Sequence, residues 1–461
     1  MDLNIVYTEV KAPAGHDCKT PVDLNVQTMR EHLDNTLRKM REMGLDTLVI
    51  YADREHGANF AYLTGFEPRF EEALLVLHVD GTAFYLLGNE NLKMAQFSFL
   101  SGEVIHTPHF SLPYQPMETQ STLKELIRSA GLDGKGNVGL IGWKYFTGSL
   151  EENEKMYDIP SFIVDAIRAN VPEEKLFNSS GIFLNAETGL RNIVNANELA
   201  HFEFGAALAS NAVLEAMNGI EIGKTEMEVA GLMKNNGQPI TVTTICASGE
   251  RFTNAVVFPR AKKIHMGDKF SLTMGLRGGL TSRAGYVASD RKDLPIEVRD
   301  YVEKVSIPYY RATVTWLSMI EIGRPCGEIY SSIEEILPKE QYHWTLNPGH
   351  YTSAEEWSSS PFYPGSEVRL RSGMMLQLDI IPSVPGYGGV SAEDGIAIAD
   401  ETLRARLAED YPETWSRIIE RRKYMKNELG INLSEDVLPM SDTLGYLRPL
   451  LLAKERALRV R

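Results

Sequence analysis

Cysteine is scarce in this chain: Cys18, Cys246 and Cys326 lie far apart and are odd in number, which argues against a disulfide framework and against a zinc knuckle. Long apolar runs are missing too. No segment holds eighteen unbroken apolar residues, and the opening MDLNIVYTEVKAPAGHD has no basic stretch leading into an apolar one, so neither a spanning helix nor a signal peptide is expected and the cytoplasm is the default location. Positive charge is in deficit. The 47 Lys and Arg stand against 62 Asp and Glu, a formal net charge of −15, which disfavours nucleic acid and anionic membrane as general partners. What remains is ordinary for a globular protein, with 43% hydrophobic and 24% charged residues among 461. That length exceeds what one core usually serves, so two domains are expected.

Taken in order, residues 1–26 show little periodicity and are read as an N-terminal arm. A helix is predicted from about Thr28 to Met43, with Met29, Leu33, Leu37 and Met40 on one face and Gly44 as its stop. Strand LDTLVIYA (45–52) follows, NFAYLTGF (59–66) reads as strand-like, and ALLVLHV (73–79) and TAFYLLG (82–88) are joined by Asp80-Gly81, a hairpin signal. A helix near 117–131 leads to strand NVGLIGW (137–143). Helices alternating with strands describe an α/β domain over 27–175, with 176–196 as a linker.

The second half carries a repeat. GIEIGKTEMEV (219–229) and MIEIGRPCGEI (319–329) share a Glu-Ile-Gly core one hundred residues apart, each between two helical stretches, and Thr225 with Glu228 forms a capping box after the first. Strands are expected at 239–248, 269–276 and 284–288 in the first copy, and at 367–371, 374–381 and 395–399 in the second. Two copies of helix, helix and strands imply an α+β domain with pseudo-twofold symmetry over 197–400, its strands curving around one cavity. Residues 401–461 are read as a helical extension, with RIIERRKYMKNELG as a charged surface helix.

Two acidic residues interrupt the apolar runs of MMLQLDIIPSVPGYGGVSAEDGIAIAD (374–400): Asp379 and Glu393. A carboxylate in such a run is costly unless a cation or a hydrogen bond meets it. With His350 in the preceding NPGHYTS, they suggest a shared polar pocket; the alternative is that Asp379 ends its strand in a turn and Glu393 sits in a solvated loop.

The chain resembles the aminopeptidase P, prolidase and creatinase family through ANFAYLTGF (58–66), NANELAHFEFGAALA (195–209), ICASGERFTNAV (245–256), GDKFSLTMGLRGG (267–279), NPGHY (347–351), SGMMLQLDIIP (372–382) and GGVSAED (388–394). The resemblance implies a creatinase-like N-terminal domain, a pita-bread C-terminal domain, and a homodimer in which one subunit helps close the other's site. It also implies a two-ion centre held by two Asp, one His and two Glu, where hard carboxylates suit manganese, cobalt or zinc and the ion pair activates a bridging water. Here the likeness breaks. Thr273 stands at the first Asp position and Arg283 or Ala284 at the second; His350 matches the His, Asp379 the first Glu shortened by one methylene, and Glu393 the second. Trp357 stands where family peptidases place a second histidine, and the loop ERFTNAVVFP (250–259), matching the creatinase catalytic loop, has no histidine.

No dinuclear metal and no other cofactor is therefore expected, though three ligands suffice for a single weakly held ion. Arg283 is expected either to face the cavity and pair with Asp379 or Glu393 in the metal's stead, or to point to water. Arg69 is read either as a clamp for a substrate carboxylate or as a plain surface arginine, and Arg369 and Arg371 share one strand face, lining the pocket or coating its outside. The function expected first is hydrolysis of a small amide, peptide or guanidino C–N bond by His350, Glu393 and Asp379, with Thr273, Arg283 and Arg69 contacting a small or dipeptide-like ligand. The alternatives are a binding protein that has lost the chemistry and a metal-dependent Xaa-Pro peptidase.

Overall fold

A run such as LVIY is apolar at every position, which suits a strand covered on both faces. Strand Thr47–Ala52 is buried throughout and lies inside a six-stranded sheet. Across the sheet run Glu103–His106, Ala83–Leu87, Ala73–His78, Thr47–Ala52, Val138–Ile141 and Leu176–Asn178. Alternate residues serve opposite cores: Leu48, Ile50, Leu75 and Leu77 pack with Phe60 and Leu63, whereas Val49, Tyr51, Leu74 and Val76 pack with Ile127, Ile163 and Ile167. This period of two is the pleat itself. Asp80-Gly81 makes the expected hairpin, with Gly81 at φ 94°.

The computed structural model describes residues 3–253 and 258–461, and the chain forms two compact units. The first is Leu24–Asn192; the second is Ile193–Arg461 together with the N-terminal residues up to Asp23. Two readings of the first unit change. Residues 59–66, expected as a strand, form helix Ala58–Thr64, which buries Phe60, Leu63 and Thr64 and ends at Gly65 in the left-handed region. Apolar residues three and four apart outweigh the strand-like composition. The linker expected over 176–196 instead supplies edge strand Leu176–Asn178 and helix Gly181–Leu184, because Leu176, Ile182, Phe183 and Leu184 are apolar and find burial there.

The second unit opens with helix Ala196–Asn218, capped by a reciprocal Asn195–Glu198 box and buried nearly all round. It packs on hairpin Lys269–Leu276/Gly279–Tyr286 at very short range: a Cβ on Gly205 would stand 1.8 Å from the Arg277 carbonyl oxygen. The hairpin is part of an all-antiparallel sheet ordered His350–Tyr351, Met375–Leu378, Ser391–Ile398, Gly279–Tyr286, Lys269–Leu276 and Ile245–Ser248, with Val437–Pro439 also paired to Ser391–Ile398.

The Glu-Ile-Gly repeat has the same backbone geometry in both copies. Gly223 and Gly323 each have φ 88°. The Gly223 amide donates to Ile264 and the Gly323 amide to Leu370, and the pairs Thr225/Lys263 and Pro325/Arg369 form matching antiparallel bridges. The strand expected at 367–371 reduces to that one bridge. Arg369 donates to the Gly323 carbonyl at 2.8 Å on the exposed side, so it coats the outside.

The ends of the chain depart from the expected arm and extension. Strand Ile5–Glu9 pairs with Arg456–Val460. Helix Pro412–Tyr424 carries Arg417 and Arg421 inward to Glu203 on the long helix, and Arg421 also meets Asp442. A helix read as solvated by its charge is thus held by buried ion pairs that sequence spacing does not display. Among the described residues no helix is long and apolar enough to cross a membrane.

Candidate active site

Antiparallel register builds the site. Thr273, Ser282 and Glu393 lie opposite one another on three adjacent strands, and His350, Gln377 and Gly395 do so on three that share the strand of Glu393. Glu393 and Gly395 are two apart, as are Gln377 and Asp379, so one sheet face carries Thr273, Ser282, Glu393, Gln377, Asp379 and His350. Thr273 and Ser282 hydroxyls are 2.8 Å apart. Gln377 donates to the Leu280 carbonyl and, at 3.4 Å, to Glu393 Oε1. His350 Nδ1 lies 3.1 Å from the Tyr351 carbonyl, a contact in which only a protonated nitrogen can serve, and Nε2 is left facing Glu356 Oε1 at 3.2 Å and Asp379 Oδ2 at 3.9 Å. The Trp357 ring sits 5.7 Å from the imidazole.

Electrostatics at this face are dominated by burial. His350 is 1% exposed, Asp379 5% and Glu393 7%. Burial pushes the Asp379 carboxyl up to about 6 against the pull of His350, and burial followed by the carboxylates of Asp379 and Glu356 holds Glu393 well above the ordinary range. Burial pulls the His350 imidazole down, but Glu356 and Asp379 outweigh it and the net shift is upward. Asp379 Oδ1 and His350 Nε2 have no hydrogen-bond partner.

The structure places His350, Asp379, Glu393 and Thr273 on one sheet face and corrects Arg283. This side chain is 1% exposed and lies behind the sheet. Its five N–H groups serve the Asp394 carboxylate and the carbonyls of Ser282, Glu393, Thr443 and Tyr446. It neither faces the Asp379 and Glu393 side chains nor points to water. One-residue alternation explains this: Arg283 falls between Ser282 and Ala284 and takes the face opposite to Ser282. Ser282 is therefore the residue across from Thr273, not Arg283 or Ala284, since the hairpin turns tightly at Arg277-Gly278. Arg69 belongs to the first unit, where it pairs with Glu90 at 3.6 Å and covers the Phe70 ring. Of the 250–259 loop, residues 254–257 lie outside the described residues.

Sequence reasoning missed Ser282, Gln377 and Glu356. Counting by twos from Thr273 and Asp379 along the paired strands finds the first two. Glu356 sits in a loop after the strand of His350, where no periodicity marks it.

Residues 201–400 match Metallopeptidase family M24. The Xaa-Pro dipeptidase of Pyrococcus horikoshii is 27% identical over 220 residues, 45% of this chain and 60% of that protein. The Xaa-Pro dipeptidase of Pyrococcus furiosus is 28% identical over 224 residues, 46% and 62% respectively. The chain thus matches about three fifths of the length of these curated relatives. Among solved structures, the prolidase of Thermococcus sibiricus superposes with TM-score 0.64 at 19% identity over 82% of this chain and 96% of that one. The aminopeptidase P of Escherichia coli gives 0.56 at 13% identity over 82% and 93%. The solved structures show a pita-bread fold, and within the second unit residues 201–400 are similar to metallopeptidase family M24.

The site does not fit the two-ion centre that the family resemblance implies. Two ions need anions between them, and the facing residues Thr273 and Ser282 are hydroxyls hydrogen-bonded to each other. His350, Glu356 and Glu393 do offer one donor atom apiece within 4.8 Å of one another.

Proposed function

We propose that this protein hydrolyses the C–N bond of a small peptide-like substrate, with Xaa-Pro dipeptides as the first substrates to try, and that it does so without a dinuclear centre. The observation that carries this reading is the convergence of one imidazole and three carboxyl groups at one buried sheet face, with the paired Thr273 and Ser282 hydroxyls beside them. Asp379, with a free Oδ1, is placed to take a proton from the attacking water and return it to the leaving nitrogen. His350 and Glu393 frame that water. The Thr273 and Ser282 hydroxyls lie on the same face and can donate to the substrate carbonyl oxygen.

The test is turnover of a panel of Xaa-Pro dipeptides and guanidino acids by the full chain. Asp379→Asn and His350→Ala are each expected to lower kcat by at least about 100-fold, the lower range for losing a positioned acid or base. A ligand that raises the melting temperature yet is never cleaved would assign the cavity to binding alone.

A further inference from the structure

We propose that His350, Glu356 and Glu393 hold a single divalent metal ion, and that Glu356 is a ligand this chain recruits from a loop while Thr273 and Ser282 leave no place for a second ion. The inference concerns binding and stands whether or not the chain cleaves peptides.

Geometry comes first. One nitrogen and two carboxylate oxygens lie within 4.8 Å of one another, a spread that closes readily around one ion whose ligands sit roughly 2.0–2.2 Å away. The imidazole is oriented for it. With Nδ1 turned to the Tyr351 carbonyl, Nε2 is the nitrogen that faces the Glu356 and Asp379 carboxyl groups. Nε2 has no hydrogen-bond partner although His350 is buried. A backbone carbonyl on the far nitrogen is also how metal-ligating histidines are commonly oriented.

Charge comes second. Three carboxyl groups share this face, and among the described residues no lysine or arginine forms an ion pair with any of them. Arg283, the arginine on the neighbouring strand, is fully engaged on the opposite face. These carboxyl groups have only the His350 imidazole beside them, and one divalent ion bound among them supplies the balancing charge. Two ions would overfill the site. The Thr273 and Ser282 hydroxyls are neutral and already bonded to each other, so Asp379 is the one carboxyl on this face outside the three ligands, too few to hold a second cation beside the first. The nitrogen and carboxylate donors select an ion of the manganese to zinc series over calcium or magnesium.

Glu356 distinguishes this arrangement. It comes from the segment between strands His350–Tyr351 and Met375–Leu378, and its side chain keeps 18% exposure, so the ion has a route in from solvent.

The experiment measures metal by mass spectrometry and calorimetry on the full chain, first stripped with chelator and then titrated with Mn²⁺ or Zn²⁺. One ion per chain is expected, with a rise in melting temperature. Glu356→Gln, which keeps shape and removes charge, is expected to weaken binding more than tenfold and to abolish that rise, while its circular dichroism stays that of the parent. Glu355→Gln is the neighbouring control and binds as the parent does. Two ions per chain, no ion, or a Glu356→Gln protein that binds like the parent would each overturn the assignment. None of these readouts uses turnover, so loss of the metal and loss of the hydrolase reading remain separate results.

Discussion

At the residue scale, Glu393 and Asp394 show how one backbone step decides a fate. Adjacent strand residues face opposite ways, so Glu393 joins the polar face with His350 while Asp394 goes behind the sheet to Arg283, Thr281 and Thr443. Both are buried acids in the same SAED segment, and only the pairing register tells them apart. The Arg283–Asp394 pair also holds the Glu393 carbonyl at 3.0 Å, so it positions the strand that carries the site. Asp394→Ala leaves a guanidinium buried without its anion. That loss is expected to cost about 3–5 kcal/mol, read as a lowered urea midpoint with an unchanged slope. Residue type alone made Arg283 a candidate for the cavity, because a cation beside two acids is the simplest pairing; it could not reveal a third acid and four carbonyls on the other face.

At the scale of elements, the strongest local signals were legible and the weaker ones were overruled by packing. Asp80-Gly81 forms its hairpin because Gly81 at φ 94° relieves a turn few other residues tolerate. Helix Ala58–Thr64 was hidden, since its aromatic and β-branched residues favour strands in isolation and only the core around Phe60 and Leu63 makes them a helix. The contact between helix Ala196–Asn218 and the site hairpin was hidden as well. Gly205 lies mid-helix, where glycine costs stability by itself, and its reason is the Arg277 carbonyl against which a side chain would press. Gly205→Ala gains helix propensity yet is expected to destabilise the chain by about 1–3 kcal/mol, as overpacking does, and calorimetry of the variant checks the sign.

At the scale of the whole molecule, the second unit is closed by its own ends. His16 from the N-terminal arm lies 2.6 Å from Asp442 and 3.0 Å from Glu420, and Asp442 is shared with Arg421, which also meets Glu203. Hydrogen bonding to Asp442 raises His16 above its ordinary value of 6.5 against the opposing effect of burial and of Arg421. The folded chain therefore holds this proton more tightly than the unfolded one. The resulting stabilisation is full below about pH 6.5 and is lost as pH rises through the raised value. Melting temperature is expected to fall over that rise, and His16→Gln is expected to flatten that part of the profile.

The amino-acid order by itself displayed the Glu-Ile-Gly repeat, most strands around the site, and the residue types His350, Asp379 and Glu393 in them. These follow from local periodicity and from residue chemistry, which short stretches carry whole. Only the tertiary structure decided that Ser282 and not Arg283 faces Thr273, that Glu356 reaches the imidazole of His350, and that both ends of the chain enclose the second unit. Those facts depend on strand register, loop path and contacts between residues hundreds of positions apart, and no local pattern encodes them.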